Sequence, residues 1–117
     1  MHLLFRWEIV MNRATDKRVD LEMRTSIDRY LEHIKKIFKD SVYSTGSWDD
    51  NSVNEFCQAV HISQRGDLIT IATIKNKTHS YIAIKDINKL KRGSIFGKTW
   101  FGNPALGSPA GNVLNML

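Results

Sequence analysis

Few residues of this 117-residue chain have types that could do chemistry: one cysteine (Cys57), four histidines, and the triplet Gly97-Lys98-Thr99. The triplet closes Arg92-Gly93-Ser94-Ile95-Phe96-Gly97-Lys98-Thr99, a near match to a phosphate-binding loop, whose backbone and lysine cradle a nucleotide. That loop needs four residues between its glycines and a helix N-terminus behind it. Gly93 and Gly97 enclose three, and Trp100-Phe101-Gly102-Asn103-Pro104 cannot open a helix. Nucleotide binding here is not expected. Nor is a metal site, because no H-x-x-x-H or C-x-x-C spacing occurs. A dyad of Cys57 with a histidine would need a third, orienting group that the sequence does not supply, and a free cysteine behaves as a small hydrophobe. His33, His61 and His79 read as solvent-facing or internally bonded. Carboxylates in the second half are Glu55, Asp67 and Asp86, and Asp49-Asp50 is an adjacent pair in a loop, so opposed acid/base carboxyls are missing. Asn76-Lys77-Thr78 fits a glycosylation acceptor but reads as turn chemistry. The expectation is a non-enzymatic protein with no cofactor and no metal.

Charge says more. The net charge is +5, and residues 1–50 balance nine Lys/Arg against nine Asp/Glu. The whole excess lies in residues 51–117, as Arg65, Lys75, Lys77, Lys85, Lys89, Lys91, Arg92 and Lys98 against three acids. Such asymmetry raises affinity for anions by long-range attraction. With Tyr81 and Trp100 as stacking surfaces, this set is the candidate interface for an acidic partner, either nucleic acid or an acidic protein. A second expectation is a homo-oligomer or larger assembly, with Phe96, Phe101, Leu114, Met116 and Leu117 meeting neighbouring chains.

These residues need elements to position them. Leu3, Phe5, Trp7, Ile9 and Met11 alternate with Leu4, Arg6, Glu8 and Val10, which predicts an N-terminal strand. Val19, Met23, Ile27, Leu31, Ile34 and Phe38, widened by Tyr30 and Ile37, recur at three or four residues and predict one long amphipathic helix from about Asp16 to Lys39, capped by Thr15 or Asp16. Alternation of Val19, Leu21 and Met23 leaves a strand over 18–23 as the rival. Arg24/Asp28 and Glu32/Lys36 stand at i,i+4 spacing on the outer face. Residues 41–53 read as loop, with Tyr43 and Trp48 in it.

A β-meander over about 54–85 is the organising stretch. Tips at Arg65-Gly66 and Asn76-Lys77 pair Ile62 with Ile69, Val60 with Ile71, Ile71 with Ile82 and Ile69 with Ile84. All six apolar residues then share one face, toward the helix, because side chains alternate along a strand. The other face holds Cys57, Ala59, His61, Ser63, Leu68, Thr70, Ala72, Ile74, His79, Tyr81, Ala83 and Lys85, a surface either open to solvent or covered. Residues 86–93 read as a short helical turn from Asp86 to Gly93, and Ser94–Phe101 as a last strand. The fold class is therefore α+β, an antiparallel sheet covered on one face by a long helix. A single domain spans 1–101, and a Gly/Pro-rich tail spans 102–117, whose apolar end could dock on its own domain, a neighbour or a partner.

The order Phe38-Lys39-Asp40-Ser41-Val42-Tyr43-Ser44, Cys57 and a Gly-led hairpin resembles a small bacterial domain of unknown function, often encoded beside helix-turn-helix regulators. No function is carried from it. No apolar run approaches the roughly 20 residues that span a bilayer, and Arg6 and Glu8 interrupt the start too early for a signal-peptide core. A single cysteine excludes an internal disulfide and fits a reducing compartment. The expected location is cytoplasmic or virion-associated, with no membrane partner.

Overall fold

The computed structural model describes residues 17–46, 49–87, 90–97 and 109–115. The expected strand at 3–11 lies outside them, as do Trp48, Lys89, Lys98, Trp100, Phe101, Met116 and Leu117. The long helix, α1, spans Leu21–Ser44. Its start is set by Asp20, whose carboxylate accepts the Met23 N–H at 2.9 Å, so the cap falls at Asp20 and not at Thr15 or Asp16. Val19, Met23, Ile27, Tyr30, Leu31 and Ile34 form its buried stripe, while Leu21 is 76% exposed, which removes the strand rival. On the outer face Glu32 pairs with Lys35, and Lys36 with Asp40. The helix runs five residues beyond the expected end, through Tyr43, and stops where Gly46 turns to φ +82.

A second helix, α2 (Asp50–Ala59), replaces the end of the loop expected over 41–53 and the first part of the first meander strand, of which His61–Arg65 remains strand. Asp49 caps it, accepting both the backbone N–H and the hydroxyl of Ser52. The physical reason lies in spacing: Val53, Phe56, Cys57 and Val60 stand at i, i+3, i+4 and i+7, one face of a helix. Cys57 and Ala59 therefore leave the sheet altogether. The Tyr43 hydroxyl donates to Asp50, tying the end of α1 to the start of α2.

The sheet is antiparallel in simple sequence order: β1 (His61–Arg65), β2 (Leu68–Ala72), β3 (Thr78–Ala83), β4 (Ser94–Phe96) and β5 (Gly111–Asn112). Both turns sit one residue away from the expected tips. Gly66 carries positive φ beside Asp67, and the second left-handed pair is Lys75-Asn76, at φ 61° and 58°. Moving the first two-residue tip by one changes every cross-strand pair by two, so Ile62 faces Ile71. At the second turn, a three-residue turn (Ile74–Asn76) and a one-residue bulge at His79 together give the same net change, so Ile69 faces Ile82. An even shift preserves the faces. Val60, Ile62, Ile69, Ile71, Ile82 and Ile84 all enter the core with the α1 stripe, joined by Ile95 and Val113.

The reverse face is covered in part. Ala83, Leu90 and Phe96 are buried there with Leu68, Tyr81 and Ile87 packed around them. The described residues of 86–93 are not helical, where a short helical turn was expected. Ile87 and Leu90 exchange backbone hydrogen bonds across a tight reversal, and Asp86 accepts the Arg92 N–H. Of the expected last strand only Ser94–Phe96 is described as strand. β5 pairs with β4, and Asn112 bonds the Arg92 carbonyl and the Leu114 N–H. This end of the chain docks on its own domain.

Candidate functional site

The structure divides the basic set. Arg65, Lys85, Lys91 and Arg92 gather at the Gly66 end of the sheet, because the Ile84 N–H bonds Asp67 and the Gly93 N–H bonds Ala83. Here acids answer Lys85 and Arg92, whereas Arg65 and Lys91 are exposed and form no ion pair with a described residue. Asp67 pairs with both Arg18 and Lys85, and the Arg92 guanidinium donates to the Arg18 carbonyl and the Asp20 carboxylate. These cations hold the carboxyls of Asp67 and Asp20 below the usual range, Asp67 chiefly through Arg18, and Asp20 chiefly through the Met23 N–H, with Arg92 adding to it. Lys75 and Lys77 stand at the other end of β2, about 17 Å away for a strand of five residues. Both are exposed and form no ion pair with a described residue.

The expected aromatic and apolar contacts are placed differently. Tyr81 stacks on Phe96 at 5.8 Å between centroids, so one ring face is occupied. Phe96 is fully buried inside its own chain and offers no surface to a neighbour, because it fills the reverse-face cluster. Leu114 packs on the main core.

A feature that the sequence reading missed lies where α1, α2 and β3 meet. A cavity of about 270 Å3 is lined by Ile34, Ile37, Phe38 and Ser41 of α1, Phe56 of α2 and His79 of β3. Phe38 and Phe56 stack face to face, 4.0 Å apart and within 2° of parallel, and form one wall. His79 arrives by a β-bulge. Ser80 pairs with Ile71 and Thr78 with Ala72, leaving His79 as the extra residue. A bulge re-aims a side chain, and here the imidazole meets Tyr30 edge-on at 6.4 Å, on the helix side of the sheet.

A short polar chain fixes the ring. His79 Nδ1 lies 3.0 Å from Ser80 Oγ, which lies 3.1 Å from the Tyr30 hydroxyl. Ser80 is 4% exposed and bonded on both sides, so its hydroxyl links the two rings. Crowding holds the His79 pKa below 6.5, because burial of one side of the ring disfavours the cation, although the other side stays open to solvent. Burial likewise pushes the Tyr30 phenol up. The only sequence signal for this chain was Ser80 itself, a polar residue sharing parity with Ile82 and Ile84. Among the described residues no group of three or more His, Cys, Asp or Glu side chains could hold a metal, and no described helix is long and apolar enough to cross a membrane.

No protein-family model, curated protein or solved structure matches this chain.

Proposed function

We propose that this chain is a small non-enzymatic binding or regulatory protein whose cationic second half contacts an acidic partner. The observation that supports this is the state of Lys75 and Lys77: exposed, two residues apart on one turn, and without the acidic neighbours that answer Lys85 and Arg92 at the opposite end. An unanswered cation pair is a standing attraction for anions. Nucleic acid and an acidic protein are the two partner classes, met in the cytoplasm or in a virion. The test is retention of the full chain on mixed-sequence DNA and on poly-glutamate across a salt series. A linear fall of log affinity with log salt is expected on at least one of them; no retention on either at the lowest salt ends the proposal.

An assembly role draws separate support from Leu21 and Ile37, large apolar side chains standing 76% and 55% exposed on α1. Sizing in solution decides it: a homo-oligomer is expected, and a monomer at every concentration removes it.

A further inference from the structure

We infer that the groove between α1, α2 and β3 docks an acidic peptide segment, which inserts one large apolar side chain against Ile37, Phe38, Phe56 and His79 and pairs its carboxylates with Lys75 and Lys77. This rests on the acidic-partner reading and names the site and the partner's chemistry.

The groove's size and lining suit one apolar side chain. At about 270 Å3 it is too small for a folded element and large enough for a side chain with a short stretch of backbone. Ile37 continues the stripe that α1 buries elsewhere, yet it is left 55% exposed at this rim. Burying a side chain of that class is worth about tenfold or more in affinity. His79 gives the groove one polar handle: Nδ1 is held by Ser80, which leaves Nε2 to meet a peptide carbonyl or carboxylate.

The cations are placed by the same hairpin. Lys75 adopts φ 61° and ψ 31°, a left-handed conformation that glycine or asparagine takes at less cost. A non-glycine residue held there is a reason to look for function. The turn that carries it packs on α2, the helix that holds Phe56, and Lys77 lies two residues before His79 on the way into β3. Cations therefore stand on the turn that leads to His79 and packs on α2, next to an apolar groove that they do not themselves line, the complement of an acidic segment with an apolar anchor.

Two other occupants fit less well. A nucleic acid needs open ring faces for stacking, and one face each of Phe38 and Phe56 is taken by the other ring. A second copy of a chain carrying +5 brings like charge to the two lysines.

The experiment uses the full chain and a fluorescent peptide of Asp and Glu with one central Phe, alongside the same peptide with Ala there and a mixed-sequence oligonucleotide. The Phe peptide is expected to bind about tenfold more tightly than the Ala peptide. Ile37→Ser, at an exposed position that does not threaten folding, should erase that preference. Lys75→Gln with Lys77→Gln should weaken both peptides and flatten their salt dependence. Equal binding of the two peptides, or loss only with Arg65→Gln and Lys91→Gln, overturns the groove while leaving the acidic-partner reading intact. Binding of the oligonucleotide alone has the same consequence. Binding of none of the three probes sinks both.

Discussion

Ser80→Ala is the most informative single change, because the bulge, the helix and the groove meet at its hydroxyl. In the native chain Ser80 Oγ joins the Tyr30 hydroxyl at 3.1 Å and His79 Nδ1 at 3.0 Å. Tyr30 is 8% exposed, so removing Ser80's oxygen strands a buried phenol that water cannot reach. A buried polar group without a partner costs about 1–3 kcal/mol. Tyr30→Phe is milder, about 1 kcal/mol, because Ser80 keeps its bond to His79. The double variant removes both ends of one bond and leaves no stranded phenol, so its cost should fall short of the sum by about 1 kcal/mol. Urea titration reads these values directly, and an unchanged m value confirms that the native and unfolded states stay comparable. In thermal melts each kcal/mol is about 4 °C for a domain of this size. Costs that add within about 0.3 kcal/mol would show that the Tyr30–Ser80 bond does not exist in solution. The bulge would then not hold His79 as described.

Three further outcomes are expected. Gly93→Ala should cost about 2 kcal/mol, because φ is +92° there and an added Cβ would lie 2.4 Å from Asn112 Oδ1; Gly97→Ala, with nothing within 4 Å, should be nearly neutral in the same melts. Ile71→Ala, fully buried between α1 and the sheet, should lose about 2–5 kcal/mol, and a cost under about 1 kcal/mol would contradict the core assignment. Stability should form a plateau in pH. On the acid side the unfolded chain protonates its histidine first as pH falls through 6.5, since folding lowers the His79 pKa; Asp20, Asp49 and Asp67, also held low, add a second loss below 3.8. On the alkaline side the unfolded chain ionises tyrosine first above 10.0, because folding raises Tyr30, and stability falls again. Urea midpoints against pH check this, and a His79→Gln variant that keeps the step near 6.5 would assign it wrongly.

Periodicity carried the parts of the fold that depend on a single face. The α1 stripe and the six branched aliphatics of the sheet were legible because burial repeats at 3.6 or 2 residues, whatever the exact pairing. Turn tips were less legible. Arg65-Gly66-Asp67 and Lys75-Asn76-Lys77 each allow two placements, and the shift of the ladder by two keeps the six core aliphatics on their face, although the bulge after the second turn takes His79 off the reverse face expected for it. Residues 50–59 misled for a different reason. Val53, Phe56, Cys57 and Val60 fit a helix, but the alternation running back from His61 made 54–59 look like strand and the polar residues before them look like loop, and the Asp49 cap is the signal that separates the readings. The candidate groove was out of reach, since Phe38, Phe56 and His79 come together through a helix pair and a bulge that no local pattern announces. The acids at the Gly66 end were equally hidden. Arg18 and Asp67 are 49 residues apart in sequence, so which lysines and arginines stay unanswered could be known only from the fold.

The docking of β5 has a consequence for how the protein is made. β4 pairs on one side with β3 and on the other with Gly111–Asn112, and Val113 fills a place in the main core. During synthesis α1, α2 and the β1–β3 hairpins can form from nearby residues as they emerge. The β4 edge and the Val113 site stay open until residue 113 leaves the ribosome, because nothing earlier among the described residues fills them. Nascent chains stalled before that point therefore carry an unpaired strand edge and an exposed apolar socket, the features that chaperones hold and aggregates propagate from.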